Sequence, residues 1–482
     1  MAALNRPAGG SHGRTKACPI REPRGPARHS AASRPEAGPG GGLARHGIAG
    51  LAVAGISATA QFLAVLVVTR SLDPPSAGAF FTATAVCLML AGILRLDTGN
   101  GLVLALAGGQ GTGGQGTGGQ GTGGRGTPAS RAAATRRMLW GVLVPVAALS
   151  VLASVAVAVS AGALGEATGV PEGVWPVLGA ALPAAVLADV LVCGTRGTGT
   201  MRPTVLLSGI AQPLAQLALV AAAVLGGAPL PVLVAAWALP SLPVAALAAI
   251  GLGRRKPYGM GDVRSFWRRT APRSVAAAIQ AVFQRLDVVI VAVLAGPAAA
   301  AVYTAATRFK VIGQLANQGL AQAAQARLVR ALADGDLARA ARLYQTTTIW
   351  LVALTWPIWL AYAALAPWLL PLFGPGYSGG TAVAFVLSAT MMLATACGMV
   401  DVVLVASGRT AASLANTAAA VSTTVALDVL LVPGHGALGA AVGWSGGVVV
   451  KNLLPLTQVV RWYGLRPFGR HSVAALRVTR AA

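Results

Sequence analysis

Four charged residues lie inside two apolar runs that meet at Gly296-Pro297. Arg285 and Asp287 belong to the first run, and Arg308 and Lys310 belong to the second. Each run is long enough to cross a bilayer as a helix. A charge near the middle of a bilayer costs about 2.5–3.5 kcal/mol on insertion scales. Four such charges in one predicted hairpin therefore indicate a functional site.

The chemistry of this site is predicted from its excess of positive charge. Lys451 adds a further cation within a later apolar run, and the first half of the chain has no charge at comparable depth. Because the planar guanidinium group can bond two phosphate oxygens at once, the arginines favour a phosphate-bearing ligand. Asp287 is a candidate for ion coupling or an orienting partner for an arginine. The alternative is structural: Arg285 pairs with Asp287 or Asp401 and locks helices together.

Polar side chains extend the predicted site along helix faces. Residues three, four or seven positions apart share one face of a helix. Such stripes suit a water-filled cavity, or alternatively hydrogen bonds between helices. They comprise Lys310, Gln314, Asn317 and Gln318; Gln280, Gln284 and Asp287; and Lys451 with Gln458, while the first half offers Gln61, Gln212 and Gln216.

The composition predicts a membrane protein of many spans. The 482 residues are 55% hydrophobic and 10% charged, with a mean hydropathy of +0.67, whereas soluble domains carry about 25% charged residues. We predict an all-α polytopic membrane protein of about twelve transmembrane helices. The predicted spans are Gly47–Val68, Gly78–Leu94, Met138–Ser160, Val174–Val192, Pro203–Leu225, Leu230–Leu252, Ser274–Leu294, Ala298–Gly319, Thr346–Leu370, Thr381–Ala406, Ala411–Leu431 and Leu438–Val460.

The distribution of Lys and Arg predicts the orientation. With both termini in the cytoplasm, nearly all 37 Lys and Arg residues fall in inside segments, and the outside loops hold only Arg70. The formal net charge of +24 is then mainly a positive-inside signature, so we expect no nucleic-acid partner. The outside loops are short and leave no room for a catalytic domain, so we expect no enzyme. The cysteine spacing predicts no metal site, and we expect no cofactor.

Composition shifts predict the domain boundaries. Residues 108–127 are tandem Gly-rich pentapeptides, which predict a flexible linker. We expect a disordered basic cytoplasmic tail (1–45), an N-terminal six-helix lobe (46–253), a basic connector (254–273), a C-terminal six-helix lobe (274–463) and a basic tail (464–482).

An internal repeat relates the two predicted lobes. Leu72–Ala83 and Leu294–Ala305 share Leu, Pro, two Ala, an aromatic residue, Thr and a final Ala at a constant offset. Because each predicted lobe has six spans, the two repeats are parallel. In transporters built this way the substrate site lies between the halves, in a central cavity near the midplane.

Five short motifs in order carry a resemblance to a known family. They are TRSLDPPSAGAFF (Thr69–Phe81); QRLDVVIVAVLAG (Gln284–Gly296) with Tyr303; Phe373-Gly374 with Gly376-Tyr377; Gly408-Arg409-Thr410; and Pro433-Gly434 with Gly439-Ala440-Ala441. The sequence resembles the polysaccharide-biosynthesis flippases (O-antigen flippase-like) of the multidrug/oligosaccharidyl-lipid/polysaccharide exporter superfamily. It departs from them at Asp73-Pro74, where the family more often has Gly-Pro, and in the pentapeptide linker.

The resemblance implies translocation of an undecaprenyl-diphosphate-linked oligosaccharide from the inner to the outer leaflet of the bacterial cytoplasmic membrane. It implies as partners a polyprenyl-diphosphate-linked glycan, the lipid bilayer, and a polysaccharide polymerase and glycosyltransferases. The alternatives are a drug/cation antiporter, which would need acidic residues in the first-lobe cavity, and a peptidoglycan-precursor flippase. The predicted substrate-binding residues are Arg285, Arg308, Lys310, Lys451, Gln284, Gln314 and Gln318, with Asp287 for ion coupling.

Overall fold

The computed structural model describes residues 39–108, 128–197, 201–253, 263–310, 325 and 327–472. The chain divides into a unit of residues 1–49 and a compact unit of residues 50–482, and the second unit is described below. All regular structure in the described ranges is helical, which confirms the all-α prediction. The Gly-rich linker from residue 109, the first part of the basic connector and most of the predicted tails lie outside these ranges.

The first half of the described chain contains ten α-helices and one π-helix. The first helix begins at Pro39, inside the segment predicted as a tail. The helices are α1 (Pro39–Ser71), α2 (Pro74–Leu94), α3 (Thr98–Gly108), α4 (Pro128–Val159), α5 (Ala161–Thr168), α6 (Val174–Arg196), α7 (Arg202–Thr204), a π-helix (Val205–Ala211), α8 (Gln212–Leu225), α9 (Leu230–Ala238) and α10 (Ser241–Gly253).

The second half contains several long helices that are broken or turned back. Two short 3₁₀ turns, Leu370–Phe373 and Pro375–Tyr377, follow the long helix that ends at Leu369. The helices are α11 (Val263–Phe283), α12 (Leu286–Thr307), α13 (Leu337–Leu369), α14 (Gly380–Ala396), α15 (Val400–Ala406) and α16 (Thr410–Tyr463).

Membrane-spanning capacity follows from helix length and composition. Within the described ranges, nine helices are long and apolar enough to cross a membrane, or ten if the bent pair α14 and α15 forms one span. Glycines with non-helical backbone angles divide two of the nine: Gly296 (φ 83°) in α12 and Gly436 (φ 53°) in α16. A positive φ suits glycine because it lacks Cβ. The arrangement is that of a multi-pass membrane protein, and the count of twelve spans in two repeats stays a prediction.

Predicted span seven is broken rather than continuous. The expected helix Ser274–Leu294 is interrupted at Gln284 and Arg285, where α11 ends and α12 begins. Arg285 has a non-helical φ of −130°. Two adjacent polar residues in mid-span favour such a break, because unwound backbone at membrane depth is tolerated where it lines a cavity.

The two repeated segments of the sequence contact each other at the centre of the fold. α12 packs mainly against α2 and α16. The approach of α2 is closest at Gly78, where an added Cβ would lie 1.7 Å from the carbonyl oxygen of Pro297. Gly78 belongs to the first repeated segment and Pro297 to the second. A single apolar core runs through this contact and joins both halves.

The turn before α2 explains one departure from the family pattern. Asp73 is the N-cap of α2, and its side chain accepts a hydrogen bond from the Ser76 backbone N–H at 3.3 Å. Hydrogen bonds from Ser76 lower the pKa of the Asp73 carboxyl below its usual value. Pro74 and Pro75 occupy the first helical positions, where a missing N–H does no harm. Asp73 therefore supplies a cap that glycine would lack.

The helix α11 is attached to the first half of the fold. It packs against α2, α3 and α4. The corner between α2 and α3 places both Leu96 and Asp97 at φ 49°, a conformation that is strained for residues other than glycine. Arg273 forms a 3.0 Å ion pair with Asp97, and the Ser274 hydroxyl donates to the Leu96 carbonyl. These contacts from α11 hold the strained corner in place.

Candidate functional site

The cavity between the two halves has a volume of about 300 Å³. The first half contributes α1, α2, α6, α8, α9 and the π-helix to its wall, and the second half contributes α12 and the residues at its two ends. This position agrees with the central cavity that the sequence repeat predicts. Two of the predicted substrate residues, Arg285 and Arg308, lie in the wall of the cavity.

The two arginines reach the cavity from opposite ends of α12. Arg285 is the N-cap residue in the break of span seven, and Arg308 follows the last residue of the helix. Because α12 turns back at Gly296, its first and last residues come to similar depth in the fold. Arg308 is close enough to Arg285 to be repelled by its positive charge, and close enough to Asp287 to be attracted by its carboxylate.

Neither arginine has an ion-pair partner among the described residues. The salt bridges there are Arg95–Asp189 and Arg273–Asp97. The Nε atom of Arg308 is buried without a hydrogen-bond partner, and so is the hydroxyl of Thr304 one turn earlier on the same face. The structural alternative of an Arg285–Asp287 or Arg285–Asp401 pair is therefore not observed. The arrangement leaves guanidinium and hydroxyl donors free to bind an anion.

The carboxylate of Asp287 is held by its own helix hairpin. The Tyr303 hydroxyl donates to Asp287 Oδ2 at 2.9 Å, and the Val288 backbone N–H donates to Oδ1 at 2.9 Å. Tyr303 is fully buried. The Tyr303–Asp287 bond joins the two legs of α12 and so fixes the relative position of their ends. Asp287 does not line the cavity itself.

The other predicted cations lie elsewhere. The Nζ atom of Lys310 lies 4.2 Å from the ring centroid of Trp444, an arrangement typical of a cation–π contact. Lys451 and Gln284 are exposed, and none of these three residues lines the cavity. The helix is interrupted at Gln284 and Arg285. Gln280 and Asp287 therefore do not share one helix face, as the predicted spacing had assumed. The predicted residues Gln314 and Gln318 lie outside the described residues.

The first half supplies uncharged polar side chains to the cavity wall, together with apolar residues and the acidic Asp189. The predicted residues Gln61, Gln212 and Gln216 all line the cavity. Ser208 and Trp237 line it too and were not predicted. The spacing of four residues from Ser208 to Gln212 to Gln216 could have indicated the first. Nothing in the sequence around Trp237 distinguishes it from the other tryptophans. Gln458, in contrast, forms a reciprocal amide pair with Asn416 at 2.7 and 3.0 Å, which joins the two legs of α16 on either side of Gly436.

Asp189, Asp401 and Asp428 lie near the ends of predicted spans, where the sequence predicts helix caps or interfacial salt bridges. Asp189 fulfils this with a 3.9 Å contact to Arg95, although it also lines the cavity. Asp401 accepts a hydrogen bond from Ser413. The expectation is wrong for Asp428, which is completely buried and whose two carboxylate oxygens have no hydrogen-bond partner. The two legs of α16 pack together around it, so it is enclosed between helices rather than placed at an end.

No protein-family model matches the chain, and no curated protein matches it. Solved structures do. An inward-facing multidrug resistance MATE family transporter of the MOP superfamily is 16% identical with a TM-score of 0.65, over 87% of this chain and 98% of that one. The lipid II flippase MurJ in an inward closed conformation is 9% identical with a TM-score of 0.67, over 90% and 91%. A MOP superfamily transporter from Pyrococcus furiosus is 15% identical with a TM-score of 0.55, over 88% and 95%.

These similarities extend over nearly the whole of each chain. At such low identity they show the fold alone: the chain has the fold shared by MATE and MurJ transporters of the MOP superfamily. This fold is the one that the resemblance of the sequence motifs implies. The O-antigen flippase-like subfamily is a finer statement and stays a prediction.

Proposed function

We propose that the protein moves a polyprenyl-diphosphate-linked oligosaccharide from the inner to the outer leaflet of a bacterial cytoplasmic membrane. The observation that carries this proposal is the pair of arginines, Arg285 and Arg308, which line a cavity between the two halves and form no ion pair with a described residue. Cations without a counter-charge at membrane depth are energetically unfavourable. A diphosphate that binds in the cavity would neutralise the charges of both arginines. No bond of the substrate needs to be broken.

Two alternatives within the superfamily differ in what the cavity must bind. A drug/cation antiporter needs an acidic cavity. In the described chain, the cavity of this protein is lined by one acidic residue, Asp189, which is near Arg95. The P. furiosus neighbour is itself described as having reversed pocket polarity that suggests a different function. A peptidoglycan-precursor flippase would present the same diphosphate, and the MurJ neighbour is named as a lipid II flippase. The basic cavity wall favours a diphosphate-linked substrate over a cationic drug.

Ion coupling is assigned in this proposal to Asp287 and Asp428. Neither carboxylate oxygen of Asp428 has a hydrogen-bond partner in the described chain, and Asp428 is close enough to Asp287 for the two charges to interact. A proton or cation taken up by this pair would neutralise a buried carboxylate. In the cell, glycosyltransferases would supply the lipid-linked glycan and a polysaccharide polymerase would consume it.

The experiment replaces each cavity arginine singly with Ala. Loss of a charge-assisted hydrogen bond costs about 1.5–3 kcal/mol, so Arg308→Ala and Arg285→Ala should weaken binding of polyprenyl diphosphate in nanodiscs about 10- to 100-fold. Surface polysaccharide should be lost at unchanged membrane expression. Lys451→Ala removes an equal charge at an exposed position away from the cavity and should behave as wild type. Normal polymer in both arginine variants would contradict the proposal.

A further inference from the structure

The first-half wall of the cavity carries amide and hydroxyl groups among apolar side chains. Ser57 and Gln61 lie one turn apart on α1, and the Gln61 amide donates to the Ser57 hydroxyl at 3.2 Å. Ser208, Gln212 and Gln216 are spaced four apart and share one face of the helix that runs from the π-helix into α8. The side chain of Gln212 makes no hydrogen bond within the described chain and is half-buried.

The backbone at this wall is irregular. Residues Val205–Ala211 form a π-helix directly before Gln212, and Ser208 lies inside it. A π-helix within a longer helix is rare and is frequently found at functional sites. Ser208 of the π-helix and the two glutamines of α8 line the same cavity.

Among the aromatic residues of the same wall, Trp237 is held by a hydrogen bond to its backbone carbonyl. Trp237 is half-buried, lines the cavity and lies one residue before the end of α9. The Gln216 amide donates to the carbonyl oxygen of Trp237 at 3.1 Å, so the two residues are tied together. The next helix begins only after Pro240, which interrupts the backbone hydrogen bonding at this point.

We propose that this wall is a subsite for the uncharged sugars next to the diphosphate. The inference rests on the proposed function and deepens it. Sugar hydroxyls both donate and accept hydrogen bonds, which matches amides and hydroxyls such as Gln212 and Ser208. An indole ring offers a large rigid apolar surface for the non-polar face of a pyranose. The charged residue of the first-half wall within the described chain, Asp189, is acidic, so acidic sugars are disfavoured here.

The proposal assigns two adjacent groups of the substrate to the two halves of the fold. The diphosphate lies against Arg285 and Arg308, and the first sugars lie against the first half. The diphosphate and the first sugars can therefore bind together only when the walls from both halves line one cavity. The unglycosylated lipid carries only the group that the arginines recognise.

The test compares three probes with the full chain in nanodiscs: polyprenyl diphosphate alone, the same lipid carrying one N-acetylhexosamine, and the same lipid carrying one hexuronic acid. Gln212→Ala and Trp237→Leu should weaken binding of the N-acetylhexosamine lipid about tenfold and leave binding of the bare lipid unchanged. Trp237→Phe keeps an aromatic ring and should restore most of the affinity. Trp350→Leu changes an exposed tryptophan away from the cavity and is the matched control.

The outcomes separate this inference from the proposed function. Equal effects of Gln212→Ala and Trp237→Leu on the bare and glycosylated lipids, or none on either, would overturn the subsite while the diphosphate site stands. Tighter wild-type binding of the hexuronic acid lipid than of the N-acetylhexosamine lipid would also overturn it. A wild-type protein that binds none of the three lipids would refute the proposed function, and the subsite with it.

Discussion

The carboxylate of Asp428 is the most isolated acidic group of the second half. Its exposed fraction is 0%, and neither oxygen has a hydrogen-bond partner in the described chain. A Cβ added at Gly443 would lie 2.0 Å from Oδ1, so the other leg of α16 closes over the carboxylate. An unpaired buried carboxylate costs several kcal/mol when ionised. In this arrangement Asp428 is therefore expected to carry a proton or to hold a cation.

Replacing Asp428 with Asn tests this expectation. The amide has nearly the same shape and no charge, so Asp428→Asn should keep the fold and raise the unfolding temperature at pH 8, by the equivalent of about 1–3 kcal/mol. Transport should lose its dependence on the coupling ion. Asp401→Asn is the control, because Asp401 already has a partner in Ser413 and should gain no stability. A lower unfolding temperature for Asp428→Asn alone would show that the ionised carboxylate stabilises the fold.

The charged residues also show what a sequence can and cannot predict about a membrane cavity. Charge type and depth indicated four cations, of which Arg285 and Arg308 line the described cavity and Lys310 and Lys451 do not. Depth does not say which face of a helix a residue occupies, and the role of all four in substrate binding stays a prediction. Lys310 finds an aromatic ring and Lys451 an exposed surface. The identity of the opposite wall depends on contacts between helices distant in sequence.

At the scale of helices, the contact of α2 with α12 is the tightest link between the halves. It is reinforced nearby, where a Cβ added at Gly376 would lie 2.9 Å from Pro74 and the Arg70 side chain donates to the carbonyl of Leu372. These contacts join the turns that the charge distribution predicts to face outward. Alternating access would have to separate them, so the closeness of α2 and α12 belongs to one of the alternating states.

A methyl group at Gly78 should disrupt this contact. Because the nearest atom is the backbone oxygen of Pro297 rather than a flexible side chain, Gly78→Ala forces the helices apart and should destabilise the closed arrangement by about 1–3 kcal/mol. We expect a lower unfolding temperature and reduced transport. Gly55→Ala is the matched control, because a Cβ there meets nothing within 4 Å. Equal behaviour of the two variants would show that α2 and α12 are not closely packed in the membrane.

Helix existence was more predictable than helix continuity. Apolar runs of about twenty residues predicted the positions of the long helices, because such runs must be helical to satisfy their backbone in lipid. The break at Gln284-Arg285 was not predicted. A hydrophobic run reports only the average environment, whereas the break depends on the local water and polar groups of the cavity. For the same reason, the π-helix before Gln212 left no mark in the pattern.

At the scale of the whole molecule, the orientation in the membrane is open to direct measurement. In a variant without native cysteines, a thiol at Ser378 should react with a membrane-impermeant maleimide added to intact cells, and a thiol at Arg264 should react only after lysis. Both positions are exposed in the structure, so accessibility within the protein is matched. Labelling of the Arg264 thiol in intact cells, with the Ser378 thiol protected, would invert the predicted topology.

The fold class of the molecule follows from features that are global in the sequence. Low charge, high hydropathy and the spacing of apolar runs predicted an all-helical membrane protein, and ordered motifs predicted the superfamily whose fold the solved structures share. The substrate is a local property of a few side chains. The substrate class is predicted from the charge of these side chains, and the variants described above test that prediction.

The attachment of α11 has a consequence for how the chain assembles. By sequence α11 begins within the predicted connector and opens the second half, yet it packs against α2, α3 and α4 of the first. It resembles an element exchanged between neighbours in a domain swap, here within a single polypeptide. If the halves were made as separate polypeptides, cut between residues 253 and 263, the first would lack the helix that covers its strained Leu96-Asp97 corner. Neither half of this protein is then a self-sufficient folding unit.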